Sequence, residues 1–236
     1  MYSCPCQIDE CVLCEAQLFS GLSSKQVCEV RGMLTKHHYE PRQTLFREGD
    51  TSARLYVVRS GQVKLTTSLP DGREQILRLG VAGHLLGFEA VEDEVYPYTA
   101  EAVTSVQTCG ILHKDMLQAI EQHPKVSLRV IHSLNQELEQ SLGMIRDLGL
   151  KSAPEKVASF ILSLVPTRGA PLRELNLPLS RLEMAAMLGL TEETVSRVMA
   201  ELRREAVIEG SRRHVEILDH NRLQNMAGSG SVQPPQ

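Results

Sequence analysis

Between Ser180 and Leu218 the chain carries its densest set of local folding signals. Ser180 and Glu183 form a Ser-x-x-Glu capping box, which satisfies backbone donors at a helix start. Leu182, Met184, Ala185 and Leu188 then supply a buried side for that helix. Gly189 makes a tight turn, and Thr191 is placed to cap a second helix running from Glu192 to about Arg204. Two short helices joined by a glycine-containing turn form a helix-turn-helix pattern.

The second helix divides into two faces. Val195, Val198, Met199 and Leu202 repeat at helical spacing and point inward. Glu193, Ser196, Arg197 and Ala200 stand at i, i+3, i+4 and i+7, an outward stripe at the amino-terminal end. Arginine can span guanine O6 and N7, glutamate can accept from cytosine N4, and serine adapts to either. Beyond the helix, Val207-Ile208, Gly210-Ser211 and His214–Leu218 read as a hairpin wing that presents Arg212 and Arg213 to phosphates. Bulk charge does not decide the matter: the net charge is −4, and residues 151–236 hold 11 Lys+Arg against 10 Asp+Glu. Local clustering does more, since Arg203, Arg204, Arg212 and Arg213 fall close together.

Upstream, Leu55–Arg59, Gln62–Ser68 and Glu74–Leu79 are short strand-like runs separated by turn signals such as Ser60-Gly61 and Pro70-Asp71-Gly72. This spacing predicts a compact β-domain of sandwich, barrel or jelly-roll type from about Pro41 to Ala102. From about His123 the period changes. Ile131, Leu134, Leu138, Ser141, Ile145 and Leu148 alternate three- and four-residue steps, as in a coiled-coil seam. Glu137, Glu139 and Arg146 flank that narrow stripe, which favours a partner helix, so a homodimer is expected. A helix at Ala153–Leu164 and a loop at Pro166–Pro171 follow.

Cys4, Cys6, Cys11 and Cys14 crowd into a polar segment, while Cys28 and Cys109 stand apart. The start, Met1 to Cys6, has no basic region leading into an apolar run, and no stretch of about 18 uncharged apolar residues appears. A cytoplasmic protein with no membrane partner is therefore expected. In a reducing compartment, crowded thiols point to metal or redox chemistry before disulfides. Zinc or a thiol switch could use them, although only Cys11-x2-Cys14 has good zinc-knuckle spacing. Cys28 lies in Gln26–Leu34, a predicted helix, and reads as a small buried apolar residue. The pair His37-His38 reads as surface. No catalytic constellation, phosphate loop or nucleotide fingerprint is present, so no enzyme is expected.

The stretch Leu177-Pro-Leu-Ser-Arg-Leu-Glu-Met-Ala-Ala-Met-Leu-Gly-Leu-Thr-Glu-Glu-Thr-Val-Ser-Arg197 closely resembles the helix-turn-helix of the CRP/FNR family. Its Glu193, Ser196 and Arg197 match the Glu-x-x-Ser-Arg triplet of the FNR branch. Gln43–Phe46 and Gly83–Phe88 resemble FNR segments as well, and the likeness runs from about Cys4 to Arg222. The resemblance implies an α+β chain: an N-terminal cyclic-nucleotide-binding-type β-roll (jelly roll), a long dimerisation helix and a C-terminal winged helix-turn-helix. The implied boundaries are a cysteine-rich sensor segment at 1–22, the β-roll at 23–122, the helix at 123–150, the winged domain at 151–222 and a disordered tail at 223–236.

It further implies a transcription activator that binds double-stranded DNA as a homodimer at TTGAT inverted repeats and works with RNA polymerase. Thr191, Glu193, Ser196, Arg197, Arg212 and Arg213 are the expected DNA-binding residues. In relatives that bind cyclic AMP an Arg-Ser-Ala triplet anchors the phosphate, and here Tyr98-Thr99-Ala100 stands in its place. Without the arginine a buried phosphate would lack its cationic donor, so no cyclic nucleotide is expected. FNR proteins hold a [4Fe-4S] cluster with three N-terminal cysteines and one in the β-roll. The cysteines of this chain resemble that arrangement, although Cys4-x-Cys6-x4-Cys11-x2-Cys14 departs from the Cys-x2-Cys-x5-Cys spacing. The implied ligands are Cys6, Cys11, Cys14 and Cys109, with Cys4 as the alternative N-terminal ligand, and the implied signal is oxygen. The other reading is a cluster-free member of the same family using thiol redox or another effector.

Overall fold

The computed structural model describes residues 30, 32–88, 95–165, 174–211 and 213–228. The chain divides into two compact units between Gln140 and Ser141. Among the described residues of the first, eight strands build two four-stranded antiparallel sheets. They are β1 (Leu34–Tyr39), β2 (Thr44–Phe46), β3 (Arg54–Ser60), β4 (Val63–Ser68), β5 (Glu74–Gly80), β6 (Leu85–Leu86), β7 (Thr99–Ala102) and β8 (Val106–Leu112). One sheet has the order β1-β8-β3-β6 and the other β2-β7-β4-β5.

The run Leu55-Tyr56-Val57-Val58 shows why β3 is apolar without alternation. Successive side chains point to opposite faces, and both faces are covered. Leu55 and Val57 enter a core shared with Leu85, Cys109 and Ile111. Tyr56 and Val58 enter a second core between the sheets with Phe46, Leu65, Leu86, Tyr96 and Tyr98. The sequence expectation of three strands across Leu55–Leu79 is met by β3, β4 and β5. Leu34 opens β1, so the helix expected over Gln26–Leu34 does not extend to its last residue. His38 is exposed and His37 half-buried on the same strand.

Two helices close the first core: α1 (His113–Gln122) and α2 (Pro124–Leu150). Met116 and Ala119 of α1 and Val126 and Val130 of α2 are buried there, beside Val30 and Cys109. Pro124 starts α2, where a missing N–H loses no intrahelical bond.

The second unit contains α3 (Ala153–Ser163), β9 (Glu174–Asn176), α4 (Arg181–Leu188), α5 (Glu192–Arg204), β10 (Ile208–Gly210), β11 (His214–Ile217) and α6 (His220–Met226). Its small sheet runs β10-β11-β9. Ser152 and Glu155 form a reciprocal capping box at the start of α3. The tail expected at 223–236 begins too early, because Leu223 is fully buried on α6 and Ala227 is buried just beyond it. Residues 229–236, the expected loop at 166–171, Cys4, Cys6, Cys11, Cys14, Cys28 and Arg212 lie outside the described residues. No described helix is long and apolar enough to cross a membrane.

Candidate nucleic-acid interface

The local signals around Ser180 act as chemistry dictates. The Ser180 hydroxyl accepts the Glu183 backbone N–H at 3.2 Å, and the Ser180 N–H donates back to Glu183 Oε2 at 2.9 Å. Gly189 ends α4 in the left-handed region at φ 61°, a conformation that costs a Cβ-bearing residue more than glycine. Thr191 then accepts the Thr194 N–H at 3.2 Å and starts α5.

On α5 the two expected faces separate fully. Val195, Val198, Met199 and Leu202 are buried, while Thr191, Glu193, Ser196, Arg197 and Ala200 are exposed. Burial of four apolar side chains fixes the rotation of α5, and truncating Met199 to alanine should cost about 2–5 kcal/mol. Glu192 and Glu193 sit in the first turn, where negative charge complements the helix dipole. Among the described residues, neither Arg197 nor Arg213 is paired with a carboxylate. Arg204, in contrast, is drawn to Glu201 at 3.4 Å.

Strands β10 and β11 form the expected wing. Gly210 turns the chain at φ 113°, and a Cβ there would sit 2.3 Å from the His214 carbonyl oxygen. Only glycine fits. Arg213 is exposed in the connection, and its carbonyl ties the wing to Leu177 N at 2.7 Å.

Two residues differ from the sequence reading. Leu182, expected on the buried side of α4, is 64% exposed, because Met184, Ala185 and Leu188 alone fill the contact with the rest of the unit. Arg181 was not singled out by its motif, yet burial first and the Arg203 guanidinium second pull it below the usual arginine range. The capping box explains Ser180 and Glu183, but nothing in the sequence pattern pointed to Arg181.

Residues 155–226 match the Crp-like helix-turn-helix domain, and residues 36–123 match the cyclic nucleotide-binding domain. The fumarate and nitrate reduction regulatory protein of Vibrio cholerae is 31% identical over 189 residues, 79% of this chain and 76% of that protein. The nitrogen fixation regulation protein FixK of Bradyrhizobium diazoefficiens is 30% identical over 93% of both chains. The chain belongs to the CRP/FNR family of transcription regulators. The solved structure of FixK2 from Bradyrhizobium japonicum superposes with a TM-score of 0.74 at 27% identity, covering 82% of this chain and 96% of that one. The chain is a DNA-binding regulator of the FNR/FixK type, and Glu193, Ser196 and Arg197 face outward on α5, the second helix of its helix-turn-helix.

The CRP/FNR frame also locates the residues expected to sense and to dimerise. Cys109 is 5% exposed on β8, within the core that also holds Val30, Val126 and Val130. Tyr98 is buried between the sheets, and its hydroxyl accepts the Gly87 N–H at 3.2 Å. Phe46 stacks on Tyr96 with ring centroids 3.9 Å apart, and Tyr56 and Tyr98 flank that pair.

The residues of the expected α2 seam are not equally exposed. Ile131, Leu138 and Ile145 are exposed, and so is Ser141. Leu134, however, packs against the core of its own unit, and Leu148 is half-buried. The exposed apolar face instead includes Leu128 and Leu142. Helical spacing could not tell the two faces apart, because both carry leucines.

Proposed function

We propose that this regulator binds FNR-like TTGAT inverted repeats as a homodimer joined through α2, and that oxygen controls it through a [4Fe-4S] cluster. The observation that carries this reading is the place of Cys109. Its thiol lies in one continuous core with Val30 and with Val126 and Val130 of α2. A change at Cys109 therefore presses on the helix that carries the exposed apolar stripe.

The donor set fits such a group. Four soft thiols can come from one short segment and one strand. Among the described residues no cluster of three or more Cys, His, Asp or Glu could hold a metal, and in this reading the N-terminal cysteines supply the other ligands. Cys109 with Cys6, Cys11 and Cys14 would hold the cluster, with Cys4 as the alternative. When bound, it supplies a group whose integrity depends on oxygen. The chain's own residues then do the remainder: Val126 and Val130 fix α2 on the β-roll, the exposed stripe pairs two copies, and two α5 helices enter successive major grooves. At the promoter the DNA-bound dimer engages RNA polymerase, within the cytoplasm.

Tyr98 supports the absence of a cyclic nucleotide. It offers no positive charge, and its hydroxyl is engaged with Gly87, so an incoming cyclic phosphate would find an aromatic side chain where it needs a guanidinium.

One observation favours a second reading. Cys109 is packed as a small apolar residue beside Val57, Ile111 and Met116, which also suits a cluster-free regulator using thiol redox elsewhere. Iron and sulfide assays of anaerobically reconstituted protein separate the two. About four of each per chain are expected for the wild type and a large loss for Cys109→Ser. Normal content in Cys109→Ser would remove Cys109 from the ligand set, and no iron in either protein would favour the second reading.

A further inference from the structure

Helix α2 runs across the boundary at Gln140 and Ser141 and has two apolar faces, of which the core of the first unit covers one. Val126 and Val130 are buried, Leu134 packs beside them, and Glu137 is turned toward Arg78 of β5. On the other side Leu128, Ile131, Leu138, Leu142 and Ile145 are exposed. Exposed Asn135 stands in the middle of that row. The six positions step by three and four residues in strict alternation, a heptad register with Leu128, Asn135 and Leu142 at a and Ile131, Leu138 and Ile145 at d.

Resting on the reading that α2 joins two copies, we propose that Asn135 sets the register and the stoichiometry of that pairing. The occupant of the stripe is a second copy of this chain, parallel and in register, with Asn135 hydrogen-bonded to Asn135 of the partner subunit.

Three features of the helix favour this arrangement. The aliphatic residues alone do not specify a dimer: leucine at a with isoleucine at d, found at Leu128–Ile131 and again at Leu142–Ile145, favours more than two strands. A single asparagine at an a position reverses that preference and lowers the stability of association. The second feature is polar satisfaction. In a parallel, in-register pair a meets a, so each carboxamide meets its equivalent. A slip of one heptad would set it against Leu128 or Leu142 of the other copy, and an antiparallel pair against Ile131 or Leu138. Either leaves a desolvated amide without a partner.

The flanks are the third feature. In register, Ser127, Leu134 and Ser141 at g approach His132, Glu139 and Arg146 at e on the other copy, so no like charges meet across the seam. Glu137 falls at c, away from the seam, where Arg78 holds it.

Sedimentation velocity over a concentration series, on anaerobically prepared full-length protein, tests the assignment. The wild type should show monomer and dimer only. Asn135→Leu should associate about tenfold more tightly or better and add species larger than a dimer. Leu138→Glu, checked for folding by circular dichroism, should be monomeric. If Asn135→Leu keeps the wild-type affinity and stays strictly dimeric while Leu138→Glu is monomeric, Asn135 has no such role although α2 is the interface. If Leu138→Glu dimerises like the wild type, α2 is not the interface and both readings fail.

Discussion

Arg78 Nη2 on β5 lies 3.3 Å from Glu137 Oε1 on α2, with each side chain less than one-fifth exposed. The same guanidinium approaches His84 Nδ1 at 3.3 Å and the Leu85 carbonyl oxygen at 3.4 Å. One arginine thus ties the second sheet, the β5–β6 turn and the long helix together. It also fixes which face of α2 is free.

Removing only one partner leaves a half-buried charge uncompensated. Arg78→Met should lower the stability of the first unit by about 1–3 kcal/mol, less than for a fully buried pair because water still reaches the site. Arg78→Met combined with Glu137→Leu should recover much of that loss. Urea denaturation midpoints read it out, and equal stability of the single and double variants would contradict a coupled pair.

His84 makes the same region sensitive to acid. Burial, with Arg78 as the lesser cause, pulls its pKa down from 6.5 to about 4. The folded chain keeps this ring neutral where the unfolded chain would protonate it. Its contribution is therefore fully present above pH 6.5 and is lost as pH falls from 6.5 toward 4. His37 and His113 are lowered in the same direction by burial. Denaturation midpoints between pH 7 and 5 should fall, and His84→Gln should flatten that slope. An unchanged slope would place the proton uptake elsewhere.

Arg197 and Arg213 should fail in different ways. Arg197 is exposed on the first two turns of α5, where it can read a guanine edge. Arg197→Ala should cost about 1–3 kcal/mol on the preferred site and relax discrimination at one base pair per half-site. Arg213 on the wing should act on phosphate alone. Arg213→Ala should weaken specific and random DNA alike and reduce the salt dependence by about one counterion per subunit. DNA titrations at several salt concentrations measure both, and a uniform loss for Arg197→Ala would mean that α5 is docked differently.

The helix-turn-helix was legible because its instructions are local: Ser180 and Glu183 cap each other, Gly189 supplies the turn, and the faces of α5 repeat within one helix. Leu182 was misread because helical spacing does not reveal where the neighbouring elements stop covering a face. The same limit applies on α2, where Leu134 packs against the first core while Leu142 is exposed. Strand β1 escaped notice because among the described residues it pairs only with β8, at the edge of its sheet, and its Lys36-His37-His38 lacks the alternation of a half-buried strand. Helix α6 is short, with Leu223 its buried anchor and the Asp219 side chain accepting the Arg222 N–H as its one start signal.

Oxygen-controlled pairing of two reading helices is tested most directly by one titration. Anaerobically reconstituted protein is added to a labelled TTGAT inverted repeat, and the titration is repeated on the same sample after exposure to air, with iron content followed in parallel. The expected result is specific binding in the tens of nanomolar range or tighter before exposure, with iron and affinity falling together afterwards. Equal affinity before and after, whatever happens to the iron, would contradict it.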